Sequence, residues 1–222
     1  MRTTPIAPEE YYHIFNRSND EQPIFYQTKD WARFLFLILH MQSPEIFYNI
    51  GRNISKFVRS RAFNINDEII AEIIKNRTVE LVSYALMPNH FHLTVREIKE
   101  NGISQYMQRI LTAYPKYFNT KYNKSGHLFQ GPYKIVHVED NRQLLYLSAY
   151  IHKNPRQLKR WRQKEHNYPW SSYQDYVGEN RWGNLLSQDI ILDQFENKSE
   201  YHNFVKTSTA KMLDAELLTL ES

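Results

Sequence analysis

The 222-residue chain contains no cysteine, and this excludes three kinds of site at once. Disulfides, thiolate zinc sites and cysteine nucleophiles all need a thiol. Any bound metal must therefore be held by histidine, asparagine or carboxylate side chains. A chain without disulfides also suits a reducing compartment, and we expect a cytoplasmic protein.

Glycine and long apolar runs are also scarce. The six glycines form no pattern of the kind that cradles the phosphates of a nucleotide, which disfavours a nucleotide-binding fold. The longest apolar stretch, residues 34–39, is far too short to span a bilayer, and residues 1–5 lack the apolar run of a signal peptide. We therefore expect no membrane partner.

Acidic side chains are few in one part of the chain. Residues 101–170 hold 12 Lys and Arg against 3 Asp and Glu, whereas residues 171–222 hold 4 against 9. In the first segment the basic side chains are interleaved with Tyr, Phe and Trp, which suits a phosphate backbone with bases that stack. A solvated basic face would show the same excess. If the segment binds DNA, the side chains that we expect to contact it are Lys116, Lys121, Lys124, Lys134 and Arg142.

Hydrophobic periodicity predicts an α+β fold. The predicted segments are, in order, a strand (11–17), a helix (30–41), two strands (80–86 and 90–96), a helix (103–122), a strand (133–138) and a helix (141–153). Within residues 42–78, two shorter amphipathic stretches indicate small packed helices. This order favours an antiparallel sheet with helices mainly on one face.

Two histidines in the strand 90–96 form the first candidate site. The two-residue period of a strand places His90 and His92 on one face and Phe91 and Leu93 on the other. The apolar face would pack in the core, and the two imidazoles would project together within reach of one divalent ion. A polar strand face that happens to carry two histidines fits the same pattern.

A second interpretation of the histidine pair is a cupin-type metal site. There a His-x-His pair is followed by a carboxylate, and Glu97 stands at a suitable distance. Such a site needs an all-β barrel with many glycine turns. The six glycines and the several helical segments disfavour it.

The last predicted helix carries the second candidate site. Asp140 can cap its first turn, with Gln143 reaching back in a capping box, and this fixes the phase of the helix. Tyr146, Tyr150 and Asn154 then follow one another at four-residue spacing along one flank. An amphipathic helix whose tyrosines pack their rings and expose their hydroxyls would give the same pattern. The spacing alone does not choose between the two tyrosines.

Four short motifs together resemble one protein family. They are Met-Pro-Asn-His-Phe-His-Leu at 87–93, Gly-His-Leu-Phe-Gln-Gly at 126–131, Tyr-Ile-His-Lys-Asn-Pro at 150–155 and Trp-Ser-Ser-Tyr at 170–173. In order and spacing they resemble the HUH single-tyrosine transposases, and among these especially the REP-associated tyrosine transposases of bacteria. The resemblance covers about residues 10–178.

The resemblance implies a ferredoxin-like domain, with the histidine pair on a central strand and the tyrosine on a helix that faces it. His90 and His92 match the metal ligands of the family, and Tyr150 matches its nucleophile. Asn154 matches a polar position that completes the metal site. The implied cofactor is a divalent metal, Mg²⁺ or Mn²⁺.

The activity that the resemblance implies is metal-dependent cleavage and rejoining of single-stranded DNA through a 5′-phosphotyrosine intermediate. The covalent link would retain the bond energy, so we expect no nucleotide cofactor. The expected partner is single-stranded DNA with a small hairpin, either a palindromic repeat or an element end. We expect a monomer or homodimer in the bacterial cytoplasm, at the nucleoid when bound to DNA. The alternative is a DNA-binding regulator that keeps the transposase fold without cutting.

The resemblance also divides the chain into two parts. We predict a catalytic domain over residues 1–178, with a helical insertion at about 42–78, and an acidic C-terminal extension over residues 179–222. Ser18 and Pro132 depart from residues that are common in the family, which affects the expected DNA contacts and not the expected chemistry. The extension matches none of the motifs, and we expect strand cleavage not to need it.

Overall fold

Four strands and eight α-helices lie in the part of the chain that the computed structural model describes, which comprises residues 5–45, 49–60 and 65–208. The elements of the first half are β1 (Tyr11–Arg17), α1 (Thr28–His40), α2 (Ile50–Ser60), α3 (Asp67–Asn76), β2 (Val79–Met87) and β3 (His90–Glu97). Those of the second half are α4 (Gly102–Tyr122), β4 (Lys134–Val138), α5 (Asn141–Lys153), α6 (Tyr173–Val177), α7 (Asp189–Leu192) and α8 (Lys198–Thr207). Among these helices none has the length and apolarity that crossing a membrane requires.

The strands form one antiparallel sheet in the order β2-β3-β1-β4. β1 and β3 are the central pair, and their register sets Phe15 opposite His92. A short turn through Pro88 and Asn89 joins β2 to β3 as a hairpin, as the sequence predicts. The ferredoxin-like α+β architecture is thereby confirmed.

Helices cover both faces of the sheet. On one face α1 and α4 pack against the apolar residues of β3, and the ring of Phe34 lies 5.1 Å from that of Phe91 and 5.0 Å from that of Tyr114. On the other face lies α5, whose Tyr150 ring is 5.5 Å from that of His92. The predicted face for most helices is the one that α1 and α4 cover. The opposite face, which carries the histidines, is covered by α5.

The first turn of α5 is fixed by its cap. The Asp140 carboxylate accepts a hydrogen bond of 2.7 Å from the backbone NH of Gln143, as the sequence predicts. The Gln143 amide oxygen reaches back to the NH of Glu139 at 2.5 Å, one residue before the position that a capping box would use. The predicted phase of the helix is unaffected, because the cap itself is in place.

The predicted helical insertion is present as α2 and α3. The side chains of Ile54 and Phe57 on α2 and of Ile73 on α3 are buried. Phe57 packs against Phe36 of α1, with 5.4 Å between their ring centroids. The insertion therefore adds a layer over α1 and is not a linker.

Residues 179–208 pack into the same core as the sheet. Trp182 and Tyr201 are buried, with 1% and 0% of their surface exposed. Tyr201 on α8 forms hydrogen bonds through its hydroxyl with Ser148 (3.1 Å) and His152 (2.6 Å) on α5. The domain boundary at residue 178 stays a prediction, but a truncation there would remove core side chains as well as acidic charge.

Asp30 at the start of α1 ties that helix to α4. Its buried carboxylate accepts hydrogen bonds from the side chains of Tyr117 (2.8 Å), Lys121 (2.6 Å) and Tyr122 (2.6 Å). Two backbone NH groups just before the helix also donate to it. Burial alone would raise the pKa of Asp30, but these hydrogen bonds outweigh burial and hold the pKa below its ordinary value.

We predict that Asp30→Asn lowers the free energy of unfolding at pH 7 by about 2–4 kcal/mol, because the charged centre of a buried network is lost. Since folding lowers the pKa of Asp30, its stabilisation is complete above the unfolded-state pKa, about 3.9, and is lost as the pH falls through the lower folded value. Urea unfolding at a series of pH values measures the effect. Asp20→Asn, at an exposed carboxylate, is the control. Equal stability of the two variants at pH 7 would contradict the prediction.

Candidate active site

A cavity of about 310 Å³ lies between the central strands and α5. His90, His92 and Tyr150 all line it, so the structure brings three of the predicted site residues together. The other lining residues are Phe15, Asn16, Arg17, Phe91, Gln130, Pro132, Lys134 and Gln157. Two of them are basic, which suits the cavity to a phosphate group.

The His90 ring is held by its neighbour in the turn. Its Nδ1 lies 2.7 Å from Asn89 Oδ1, while the Asn89 amide nitrogen donates to the carbonyl of Glu21 at 3.2 Å. Because the amide oxygen faces the ring, Nδ1 carries the proton and Nε2 keeps its lone pair. Burial, with a smaller contribution from Arg17 and an opposing one from Asn154, lowers the pKa of His90 to about 4. The ring is therefore neutral at pH 7.

His92 is held by a histidine of the neighbouring strand. His13 Nε2 lies 2.9 Å from His92 Nδ1, and the two rings stack with 5.1 Å between centroids. Burial lowers the pKa of His92 well below its ordinary value, and the nearby His13 and His90 add to the effect. Burial also lowers the pKa of His13 to about 3. Both rings are neutral at pH 7, and neutral imidazole is the form that binds metals.

Asn154 is the third candidate ligand, and it follows Tyr150 by one helical turn. Its amide nitrogen donates to the carbonyl oxygen of Tyr150 at 3.1 Å, which fixes the direction of the amide. Its amide oxygen is buried and interacts with the His90 side chain, but it forms no hydrogen bond of ordinary geometry within the described part of the chain. A buried oxygen without such a bond is costly, so a ligand at this position would be stabilising.

The donor set fits a divalent ion. No group of three or more His, Cys, Asp or Glu side chains in the described ranges is arranged to hold a metal, so a metal here would depend on the Asn154 oxygen. Imidazole suits first-row transition ions, and an amide oxygen suits harder ions such as Mn²⁺ and Mg²⁺. Three neutral donors would also leave the full charge of the ion for an anionic ligand.

The structure separates the two tyrosines of the α5 flank. Tyr150 lines the cavity, with its ring perpendicular to that of His92. Tyr146 lies one turn earlier and packs against α8, where its ring centroid is 5.5 Å from that of Phe204. The Arg142 guanidinium stands over the Tyr146 ring at 5.8 Å. This placement favours Tyr150 as the nucleophile.

The predicted DNA contacts lie in different surroundings. Lys134 lines the cavity and stands over the ring of Phe15. The charge of Lys121 is compensated by the buried Asp30, 2.6 Å away. The other three, which are exposed, are Lys116, Lys124 and Arg142. Lys134 is therefore the member of the set that is best placed to meet a strand in the cavity.

Two residues of β1 near the histidines, His13 and Arg17, were not among the predicted site residues. The signal that points to them is the two-residue period of β1, which puts residues 13, 15 and 17 on one face. The β1-β3 register then sets Arg17 opposite His90 and His13 beside His92. Local sequence does not reveal this register, because the two strands are more than 70 residues apart.

Glu97 lies on the face of β3 that is opposite to the histidines. Its buried carboxylate accepts hydrogen bonds from the NH groups of Gly102 (3.0 Å) and Ile103 (2.6 Å) at the start of α4. Glu97 therefore caps a helix. Together with the helices on both faces of the sheet, this makes the cupin-type interpretation wrong.

The family comparison matches the segment that contains the candidate site. Residues 53–154 match the family described as Transposase IS200 like. Over these residues the chain is similar to IS200-like transposases. The matched segment includes His90, His92 and Tyr150, and it ends at Asn154. The resemblance to the HUH single-tyrosine transposases is thus confirmed.

One solved structure has a fold similar to that of this chain. It is that of a REP-associated tyrosine transposase bound to a REP hairpin, with a TM-score of 0.54 and 11% sequence identity. The likeness covers 86% of this chain and 92% of the other. At this identity the likeness establishes the fold alone. No curated protein matches the chain significantly in sequence.

We predict that His90→Ala and His92→Ala each abolish high-affinity Mn²⁺ binding while the domain stays folded. Each variant removes an imidazole that lines the cavity and leaves Phe91 and Leu93 in the core. The loss should exceed the roughly 10–100-fold that removal of an outer hydrogen-bond partner usually causes. Titration calorimetry with Mn²⁺ and circular dichroism measure the two properties. His127→Ala, at an exposed histidine, should bind Mn²⁺ normally; unaltered binding in either cavity variant would place the metal elsewhere.

Proposed function

We propose that this protein is a transposase, namely a metal-dependent single-stranded DNA endonuclease and strand transferase that acts beside small DNA hairpins. The observation that carries the proposal is the arrangement around one cavity. Tyr150, His90 and His92 line it, and Asn154, one turn after Tyr150, has a buried oxygen that interacts with the His90 side chain and forms no hydrogen bond of ordinary geometry in the described residues. A protein that only binds DNA has no use for this combination.

Two findings support DNA with a hairpin as the substrate. The solved transposase of the same fold is bound to a REP hairpin. In this chain the cavity carries Arg17 and Lys134, which suit the phosphates of a strand, and the ring of Phe15, on which a base can stack. The cavity holds about 310 Å³, which suits one phosphate with its neighbouring sugar or base and not a whole duplex.

The proposed reaction is attack by Tyr150 on a DNA phosphate. A Mg²⁺ or Mn²⁺ ion held by His90, His92 and Asn154 would polarise the phosphoryl oxygens and neutralise their developing charge. The Tyr150 hydroxyl loses its proton and its oxygen forms a bond to phosphorus, while the bond from phosphorus to the 3′ oxygen breaks and that oxygen gains a proton. The products are a 5′-phosphotyrosine and a free 3′-hydroxyl.

Tyr150 needs help to lose its proton, because a phenol with the ordinary pKa of about 10 is almost fully protonated at neutral pH. Arg17 and Lys134 supply positive charge to the same cavity, which favours the phenolate. The histidines are unsuited to accept the proton while they serve as ligands. These two cations therefore favour release of the proton, and a divalent ion at the site would add its own positive charge.

Rejoining is the reverse of cleavage. The phosphotyrosine retains the energy of the original bond, so a 3′-hydroxyl from a second strand can attack it without a nucleotide cofactor. This is the chemistry that moves a DNA segment from one strand to another. Bacterial cytoplasmic location and a monomeric or homodimeric state remain predictions of this proposal.

The second candidate function is a DNA-binding regulator that has the transposase fold and does not cut. The buried Asn154 oxygen and the placement of Tyr150 favour the enzyme. The two functions separate in one experiment, in which a pool of single strands with a hairpin and randomised flanks is incubated with and without Mn²⁺. Metal-dependent nicks support the enzyme, and binding without nicks supports the regulator.

We predict that Tyr150→Phe abolishes the covalent protein–DNA adduct, and that Tyr146→Phe retains it. Each change removes one hydroxyl, and the two residues differ by one turn of the same helix. Tyr150 faces the histidines, whereas Tyr146 packs on Phe204. The adduct is measured on denaturing gels, and mass spectrometry of the trapped peptide identifies the modified residue. A nucleotide on Tyr146, or an adduct that survives in Tyr150→Phe, would overturn the assignment.

We predict that Lys134→Gln weakens binding of single-stranded DNA and reduces its dependence on salt. Each phosphate that a cation neutralises contributes about −0.7 to the slope of log affinity against log salt, so the variant should lose about one such increment. Fluorescence anisotropy at several salt concentrations measures the slope. The control is Lys75→Gln on α3, outside the basic segment. Equal slopes in both variants would show that Lys134 does not contact phosphate.

A further inference from the structure

We propose that His13 is a positioning residue that supports the metal-binding tautomer of His92. Its Nε2 accepts a hydrogen bond from His92 Nδ1, so that the lone pair of His92 Nε2 points to the ion. The inference rests on the proposed metal site and goes beyond it, because His13 itself does not line the cavity. It would act on the reaction only through His92.

Four observations place His13 in this role. It lies on β1, the strand next to β3, and its side chain emerges on the same face as that of His92. The two nitrogens are 2.9 Å apart and the rings lie within 18° of parallel. His13 is only 2% exposed, so water does not compete well for the bond. The ring of Phe15 stacks on His13 at 4.7 Å and on His92 at 5.8 Å, which holds both rings in place.

The direction of this hydrogen bond decides whether His92 can bind a metal through Nε2. A neutral ring carries one proton, so it donates through one nitrogen and accepts through the other. If His13 donates to His92 Nδ1, the His92 proton must sit on Nε2, and neither nitrogen is left to bind a metal. If His92 donates to His13, its Nε2 is free. Only the second arrangement is compatible with a metal at the cavity.

The ring of His92 has no better orientation available. A half-turn of the ring would bring a carbon atom against His13 Nε2 and lose the hydrogen bond. The other flank of the ring faces Tyr150 and His90, both nearly perpendicular to it at 5.5 and 5.2 Å. Nδ1 is thereby committed to His13, and Nε2 is the nitrogen left for a ligand in the cavity.

A hydrogen bond at Nδ1 also fixes the tautomer of His90, with a different partner. Its Nδ1 is held by the Asn89 side-chain oxygen, which only accepts hydrogen bonds and therefore permits one tautomer. His13 can either donate or accept, so the pair it forms with His92 has two proton arrangements of which metal binding selects one. Metal-binding histidines typically donate their second NH to such an outer partner.

The test measures Mn²⁺ affinity in a Tyr150→Phe parent, which keeps the donor set and prevents cleavage. His13→Phe keeps the ring stack and removes the acceptor, and we expect about 10–100-fold weaker Mn²⁺ binding. His13→Gln brings an acceptor oxygen near the position of Nε2, and we expect it to restore most of the affinity. His137→Phe, on β4 and away from the cavity, is the matched control and should bind as the parent does.

The proton arrangement is measured directly by long-range nitrogen–proton NMR of the ¹⁵N-labelled parent with Mg²⁺. We expect the His92 proton on Nδ1. A proton on His92 Nε2, parent-like affinity in His13→Phe, or equal losses in the Phe and Gln variants would each overturn the inference. If His13→Phe does not fold, the NMR spectrum and the Gln variant decide. A parent that binds no Mn²⁺ at all would instead refute the proposed function.

Discussion

The pairing of β1 with β3 is the constraint on which the candidate site depends. Side chains alternate along a strand, so the register that sets His92 opposite Phe15 sends both histidines to the face under α5. The same register sends Phe91 and Leu93 to the aromatic core under α1 and α4. A slip by one residue would exchange the two sets and destroy core and site together. Selection for a stable core therefore also maintains the geometry of the candidate ligands.

Buried ionisable side chains are charged on one side of the sheet and neutral on the other. On the α1 and α4 side the buried Asp30 keeps its charge because Lys121 and two tyrosines donate to it. On the α5 side burial keeps His90 and His92 neutral, which leaves their lone pairs for an ion. Cations stand at the rim of the cavity and not among its donors. Neutral nitrogen donors beside cations are the combination that the proposed metal-dependent attack on a phosphate requires.

The local elements could be predicted from sequence because their signals are local. The cap at Asp140 fixed the phase of α5, and the alternation through β3 fixed the faces of the hairpin. The helical spacing alone did not choose between Tyr146 and Tyr150, and the assignment to Tyr150 came from the family resemblance. The contact of Tyr146 with Phe204 could not be predicted, because α8 lies more than 40 residues further along the chain. His13 escaped notice for a related reason, since its partner lies 79 residues away and only the strand register brings the two together.

The hydrogen bonds between α5 and α8 have a consequence for motion. The Tyr201 hydroxyl forms buried hydrogen bonds with Ser148 and His152. Movement of α5 away from the sheet would leave these polar groups without partners, at a cost of about 1–3 kcal/mol each. The Lys153 ammonium adds contacts to the carbonyl oxygens of Lys206 and Ser208 at the end of α8. These hydrogen bonds therefore hold α5 rigidly against the rest of the domain. In the proposed strand exchange, the DNA ends would therefore change places while α5 keeps its position on the sheet.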